Sequence, residues 1–166
     1  MEGTQLNGHD KQDPPMHTVE FDISLIEESV DLFIDVFSQS PWYDIYDSKE
    51  EVVAFFDAFL NMPNFKGYQL LTDEGRVVGV SIGFVKPWLK DGRLRYEYFL
   101  DQLCIDSKLQ GKGYGKYFMS RIEEDLKENG IVDIILNTEV SSPAFHFYKK
   151  TGFNSLDNYR FLTKEI

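Results

Sequence analysis

Residues 103–118, Leu-Cys-Ile-Asp-Ser-Lys-Leu-Gln-Gly-Lys-Gly-Tyr-Gly-Lys-Tyr-Phe, decide the fold of this chain. An apolar strand leads into a turn that contains Gly111, Gly113 and Gly115, and an amphipathic helix follows at once. Glycine has no Cβ, so it allows positive φ and a close approach of the main chain to a ligand. The first amides of a helix have no partner within the helix and attract anions. The stretch therefore predicts a phosphate-binding turn.

Three kinds of nucleotide-binding turn compete for this stretch. A P-loop, G-x-x-x-x-G-K-[ST], would need glycine where Gln110 stands and Ser or Thr where Tyr117 stands. A dinucleotide fingerprint, G-x-G-x-x-G, would need glycine where Lys116 stands. It is also expected near the start of a βαβ unit, whereas this turn lies two-thirds of the way along the chain. The third pattern, [QR]-x-x-G-x-[GA], is met by Gln110 and by the second and third glycines. The spacing favours the third pattern and disfavours an NAD-type site.

A second motif follows about thirty residues later. Residues 142–153 are Ser-Pro-Ala-Phe-His-Phe-Tyr-Lys-Lys-Thr-Gly-Phe. Ser142 is suited to cap a short helix, Pro143 to its first turn, and Gly152 to the left-handed position that ends it. The segment therefore predicts a short capped helix.

Together the two motifs resemble those of the GNAT family of N-acetyltransferases. The first is similar to the family's acetyl-coenzyme A pyrophosphate loop, and the second to its C-terminal signature, N-x-x-A-x-x-[FL]-Y-x-K-x-G-F. One position departs from the pattern, because Ser141 stands where the family usually has Asn. The resemblance covers roughly residues 17–166 and implies a single GNAT-type domain.

The periodicity predicts the element order β-α-α-β-β-β-α-β-α-β. This order indicates an α/β domain with a mixed, mostly antiparallel sheet of six to seven strands, flanked by about four helices. Capping boxes at Ser24 and Ser48 predict the starts of the first two helices. Residues 95–137 should form a parallel strand–helix–strand crossover. Residues 153–156 and 159–164 should be the closing strands.

Composition narrows the functional classes. The chain has 166 residues, a net charge of −11 and one cysteine. We expect a flexible tail at residues 1–16, one domain at 17–166, and a reducing, cytoplasmic location. The charge argues against nucleic acid, and no apolar run is long enough for a membrane span. The scattered histidines have no metal-ligand spacing, so no metal is expected.

The resemblance implies transfer of an acetyl group from acetyl-coenzyme A to a primary amine, by direct attack in a ternary complex. The acceptor would be a small cationic amine or a peptide amine, which must lose a proton to a base. Period two places Glu97, Phe99, Asp101, Leu103 and Ile105 on one strand face. Asp101 is the first candidate for the base and Glu97 the second. The alternative for both is an ordinary ion pair.

The resemblance also implies roles for other residues. The Leu103 amide would polarise the acetyl carbonyl, and the Tyr148 hydroxyl would lie near the sulfur as a general acid or orienting donor. Cys104 is expected to be a buried thiol, which excludes an acyl-cysteine intermediate. The residues predicted to contact the cofactor are Leu103, Cys104, Ile105, Gln110, Gly111, Lys112, Gly113, Tyr114, Gly115, Lys116, Asn137, Ser141, Tyr148 and Lys150.

The acceptor side is less defined by the sequence. Residues 40–47 connect the first two predicted helices and carry aromatic and acidic side chains. Trp42 and Tyr43, together with Asp101, are the candidates for holding an ammonium group. The alternative is that these aromatic residues only anchor the connection. Two other functions stay open, a non-catalytic acyl-coenzyme A sensor or scaffold and an NAD-type domain. The exposed aromatic residues permit a homodimer without requiring one.

Overall fold

The structure is a computed structural model in which residues 15–166 are described. The predicted tail lies outside this range except for its last two residues, and the first strand begins at Met16. The elements are β1 (Met16–Glu20), α1 (Ile26–Phe37), α2 (Lys49–Leu60), β2 (Phe65–Thr72), β3 (Val77–Lys90), β4 (Arg93–Ile105), α3 (Tyr114–Glu128), β5 (Asp133–Ile135) and α4 (Pro143–Lys150). The α/β order of the described residues is the predicted one up to α4.

The strands form one sheet in the order β1-β2-β3-β4-β5. All neighbouring pairs are antiparallel except β4 and β5, which are parallel. Helix α3 connects these two strands, so the predicted crossover is confirmed.

The prediction of six to seven strands is wrong, because the sheet has five. Residues 153–156 and 159–164 form no strand. A local turn lies between them, in which the Tyr159 amide donates to the Leu156 carbonyl at 3.0 Å and the Arg160 guanidinium donates to the Asp157 carbonyl at 2.6 Å. The neighbouring edge strand β5 has only three residues. It therefore offers few main-chain groups for another strand to pair with.

One of the two predicted capping boxes is confirmed. The Ser48 hydroxyl accepts a hydrogen bond from the Glu51 amide at 3.2 Å, at the start of α2. The box at Ser24 is wrong, because the Asp22 carboxylate accepts from the Ser24 amide at 2.9 Å instead. This cap begins a short 3-10 turn at Ile23–Leu25, and α1 starts only after it.

The sheet has an apolar layer on each face. Helices α1 and α2 cover one face with Val30, Phe33 and Phe56, which pack over Val80 and Cys104. Helix α3 covers the other face, and its inward residues Phe118, Ile122 and Leu126 are those that the helical spacing predicts. Each fully buried side chain of this size contributes about 1.5–3 kcal/mol. The two layers fix the sheet against its helices.

A β-bulge interrupts β4 beside the predicted site. Gly83 pairs with Leu100, and the preceding residue of β3, Ile82, pairs with Gln102. Asp101 is therefore the extra residue on β4. A bulge of this kind changes which side chains share a face of the sheet.

The prediction that the alternate residues from Glu97 to Ile105 share one face of β4 is wrong because of this bulge. Leu103 and Ile105 pack in the layer under α3, together with Tyr98. Glu97 and Phe99 flank Tyr98 and must point to the opposite face. The extra residue shifts the alternation by one, which no periodicity in the sequence indicates.

No helix among residues 15–166 is both long and apolar enough to cross a membrane. Within the same range, no group of three or more His, Cys, Asp or Glu side chains is arranged to hold a metal ion.

Candidate active site

The turn before α3 presents free main-chain amides. Gly113 caps the helix with φ of 91°, and Gly111 has φ of 72°. The Tyr117 amide donates to the Gly113 carbonyl at 3.0 Å, so the amides of residues 114–116 precede the hydrogen-bond ladder of the helix. The Gln110 side chain donates to the Ile105 carbonyl at 3.0 Å and ties the turn to the end of β4. This arrangement fits the diphosphate of a nucleotide.

Gly115 serves the packing of the two helices. A Cβ at this position would lie 3.1 Å from a ring carbon of Phe147, so the absent side chain lets α3 approach α4 closely. Lys112 and Lys116 lie on the surface beside the turn and form no ion pair with the described part of the chain.

Strands β4 and β5 separate next to this turn. Their pairing ends where Phe99 meets Ile135, whereas β4 continues to Ile105. The main chain from Leu103 to Ile105 is therefore not paired to β5. Such an opening gives an extended ligand access to main-chain donors and acceptors.

A cavity of about 660 Å³ lies beside this opening. The connection between α1 and α2, the bulged part of β4, the segment after β5 and helix α4 contribute to its wall. The lining residues are Phe33, Phe37, Trp42, Asp44, Ile45, Tyr46, Asp47, Glu51, Val52, Phe55, Asp101, Gln102, Leu103, Asn137, Thr138, Glu139, Ala144 and Tyr148. Pockets of this size hold small molecules.

Asp101 faces the cavity as a half-buried carboxylate. Burial raises the pKa of this group above the ordinary aspartate value, and a hydrogen bond from the Gln102 side-chain amide, 3.2 Å from Oδ2, opposes the shift. A carboxylate with a raised pKa is a better proton acceptor than a solvated one.

Tyr148 approaches the cavity from α4. Its ring lies between those of Phe147 and Phe153, each 5.3 Å away between centroids. Burial raises the pKa of its hydroxyl, which therefore keeps its proton at neutral pH.

The Tyr148 hydroxyl differs from those of three other tyrosines. Tyr68 donates to Asp125 at 2.8 Å, Tyr98 to the Lys66 carbonyl at 2.8 Å, and Tyr117 to the Met16 carbonyl at 3.0 Å. Within residues 15–166, the Tyr148 hydroxyl has no such partner. A hydroxyl that borders a cavity and has no protein partner is available to a ligand.

The structure brings some predicted site residues together and separates others. Trp42, Asp101, Leu103, Asn137 and Tyr148 all line the cavity. Tyr43 does not line it, and 67% of its surface is exposed.

Four other candidates lie outside the cavity. Glu97 is only 3% exposed and pairs with Lys86 at 2.7 Å. Cys104 is buried under α1 and α2, and burial raises its thiol pKa to about 12. The Ser141 hydroxyl donates to the Glu139 carboxylate, and Lys150 is exposed at the end of α4.

Sequence reasoning missed several acidic and polar residues of the cavity. Glu51 is recognisable in the sequence only as part of a capping box, and nothing in the sequence marks Thr138 or Glu139. Asp44 and Asp47 belong to the connection between α1 and α2, and its acidic and aromatic composition was the signal in the sequence that could have identified them.

Comparisons with known proteins agree with this geometry. The model of the acetyltransferase (GNAT) family matches residues 26–153. A ribosomal protein bS18-alanine N-acetyltransferase from Haemophilus influenzae is 34% identical over 61 residues, which cover 37% of this chain. The match spans 42% of that relative, less than half of its length.

Solved structures share the fold at low identity. An aminoglycoside acetyltransferase from an uncultured soil metagenomic sample, in complex with sisomicin, has a TM-score of 0.69 and 17% identity over 92% of this chain and 97% of that one. An aminoglycoside 6'-N-acetyltransferase from Acinetobacter baumannii has a TM-score of 0.68 and 12% identity over 91% and 99%. The family model, which spans most of the chain, establishes that this protein belongs to the GNAT family of acetyltransferases, whose acyl donor is acetyl-coenzyme A.

Proposed function

We propose that this protein transfers an acetyl group from acetyl-coenzyme A to a primary amine bound in the cavity beside Asp101. The observation that carries the proposal is the common location of three features. The Asp101 carboxylate and the unpartnered Tyr148 hydroxyl line one cavity, and that cavity adjoins the opening between β4 and β5. The turn with free amides follows at the end of β4.

The donor is held mainly by the main chain. The amides of residues 114–116 bind its diphosphate, and Lys112 and Lys116 add positive charge nearby. The main chain of β4 from Leu103 to Ile105, which β5 does not pair with, hydrogen-bonds the amide groups of the pantetheine arm. Asn137 and Ser141 lie on the opposite side of the opening, and Lys150 at the end of α4.

Each reacting group then has a protein partner. The acceptor arrives as an ammonium ion with a pKa near 10, and the Asp101 carboxylate accepts a proton from it, directly or through a water molecule. The Leu103 amide donates to the acetyl oxygen as negative charge develops there. The Tyr148 hydroxyl donates to the sulfur as it departs. Glu97 is excluded from this step because it pairs with Lys86 outside the cavity.

The reaction is balanced without another reactant. A carbon–nitrogen bond forms between the acetyl carbon and the amine, and the carbon–sulfur bond of the thioester breaks. The products are the acetylated amine, the free thiol of coenzyme A and one proton. The attack is direct, since Cys104 lies outside the cavity and keeps its proton.

The similar proteins support an amine as the acceptor. The Haemophilus influenzae relative is named for an alanine of a ribosomal protein, and the two structural neighbours are named for aminoglycosides. These names favour a peptide amine and a small cationic amine, respectively.

The test is acetylation of amines by the purified protein, which is measured as release of the coenzyme A thiol. A panel of polyamines, aminoglycosides, amino acids and peptides should contain acceptors. For these acceptors, double-reciprocal plots of the initial velocity should give intersecting lines, as expected for a ternary complex. Absence of turnover across the panel, combined with tight binding of acetyl-coenzyme A in calorimetry, would favour the non-catalytic sensor. Binding of NAD in place of coenzyme A would contradict both functions.

A further inference from the structure

The carboxylates of the cavity have no cationic partner within residues 15–166. Five acidic side chains line it, Asp44, Asp47, Glu51, Asp101 and Glu139, and no Lys, Arg or His of the described chain does. None of the five takes part in an ion pair among the described residues. The cavity therefore carries a concentrated negative charge that no side chain of the described part of the protein neutralises.

Two lysines of the described chain each pair with acidic residues that lie outside the cavity. Lys49, in the same first turn of α2 as Glu51, contacts Glu27 at 2.9 Å and Asp31 at 2.6 Å. It thus pairs with α1 and leaves the cavity carboxylates free. Lys66 likewise bridges Glu20 and Asp125 at 3.0 and 2.9 Å. Because Lys49 pairs with residues outside the cavity, the cavity carboxylates remain available to a cationic ligand.

The other lining residues suit an alkyl ammonium. Trp42, Tyr46 and Phe55 contribute aromatic rings, which attract cations and cover methylene groups. The Tyr46 ring packs against Phe33 at 6.2 Å between centroids, and its hydroxyl lies 3.5 Å from Asp44. Burial and the Asp44 charge raise the pKa of Tyr46 to about 12, so this hydroxyl adds no further charge.

The acidic groups come from two different walls. Asp101 lies on β4, and the proposed function places the reacting amine beside it. Asp44 and Asp47 lie on the connection between α1 and α2, and Glu51 lies in the first turn of α2. A single ammonium beside Asp101 would leave the second group of carboxylates unpaired. Carboxylates that share a partly enclosed space repel one another unless cations separate them.

We infer that the natural acceptor carries at least two ammonium groups, of which one reacts beside Asp101 and another binds at Asp44, Asp47 and Glu51. The inference rests on the proposed function and specifies its acceptor as a polycationic amine. Asp44, Asp47 and Glu51 are then the specificity-determining residues. They act by holding the end of the acceptor that does not react.

Three amines with the same five-carbon chain test this directly. With saturating acetyl-coenzyme A, kcat/KM is measured for cadaverine, n-pentylamine and aminopentanol, which differ only in a charged, apolar or neutral polar far end. Cadaverine should be preferred by at least about tenfold, the effect of one charge-assisted contact. The preference should decrease as salt is added, because the carboxylates are partly exposed.

Variants locate the second binding group. In the double variant Asp47→Asn, Glu51→Gln, the preference for cadaverine over n-pentylamine should fall at least about fivefold, as expected when charge-assisted contacts are weakened. The control is Glu50→Gln, which removes one negative charge from the same turn of α2 as Glu51 but lies outside the cavity. It should leave the preference and the activity unchanged.

The outcomes separate this inference from the proposed function. Equal kcat/KM values for the three amines, or equal use of an alanine-terminated peptide without other positive charge, would overturn the inference while the acetyltransferase activity stands. An unchanged preference in the double variant would also overturn it. If no amine is acetylated at all, the proposed function fails and the inference fails with it.

Discussion

The Gln102 side-chain amide donates a hydrogen bond to Asp101 Oδ2 at 3.2 Å, at the bulge of β4. Adjacent residues of a regular strand point to opposite faces, so this contact depends on the extra residue. The hydrogen bond orients a carboxylate whose pKa is raised by burial. The bulge thereby gives the cavity an ordered, half-buried carboxylate.

Replacement of this carboxylate should slow the reaction most at neutral pH. Asp101→Asn should lower kcat/KM about 100-fold at neutral pH, since proton transfer is typically worth that much or more. The carboxylate must be ionised to act, so the parent rate rises as pH increases through the Asp101 pKa. The difference should shrink at alkaline pH, where free amine is abundant. Overlapping pH–rate profiles of parent and variant would exclude Asp101 as the base.

The second candidate for the base should instead affect stability. Glu97→Gln removes the charge that pairs with Lys86, and a partly buried charged group left without its partner costs about 2 kcal/mol. Urea denaturation should show this decrease in the free energy of unfolding. At urea concentrations below the unfolding transition, kcat and its pH dependence should match those of the parent protein. Loss of the pH-dependent limb in this variant would assign the base to Glu97.

Tyr148→Phe should reduce turnover and leave folding intact. The hydroxyl has no partner within residues 15–166, so thermal stability should change little, whereas kcat should fall about 100-fold if the proton donor is lost. The KM for acetyl-coenzyme A should be nearly unchanged. Tyr68→Phe is the matched control, because it removes a hydroxyl bonded to Asp125. That control should lose stability and keep kcat, and the reverse pattern would contradict the assignment.

The turn before α3 should be sensitive to side chains. Gly113→Ala places a Cβ on a residue with φ of 91°, which costs about 1 kcal/mol and distorts the turn. The KM for acetyl-coenzyme A should rise about tenfold, the effect of one lost charge-assisted hydrogen bond. Gly75→Ala carries the same conformational cost at φ of 83° in the remote β2–β3 turn. It should lower stability alone, and equal KM values in the two variants would argue against the phosphate turn.

Cys104 should be dispensable for the chemistry. Cys104→Ala removes one buried sulfur atom and should cost about 1 kcal/mol of stability. Turnover should persist, and initial-velocity lines should still intersect, because the thiol is buried and its pKa is raised to about 12. Iodoacetamide should not modify the native protein. Parallel lines in the parent together with an inactive variant would support an acyl-cysteine route.

Local sequence signals determined the parts of the fold that depend on near neighbours. Ser48, Ser142 and Pro143 mark helix starts that the structure contains, and Gly152 ends α4 with φ of 102°. Caps and left-handed turns involve residues a few positions apart, so a short window is sufficient to identify them. The two motifs likewise identified the family that the comparisons establish.

The cavity depends on contacts between segments that are distant along the chain. The sequence placed Glu97 and Leu103 on one face, and the bulge at Asp101 separates them because one extra residue reverses a period of two. Glu139 joins Asp47 and Glu51 only when α4 and α2 pack around the end of β4. The sequence by itself determined the order of elements up to α4, the turn before α3 and the family. Only the tertiary structure decided which carboxylates share a cavity, because shared burial arises from long-range packing.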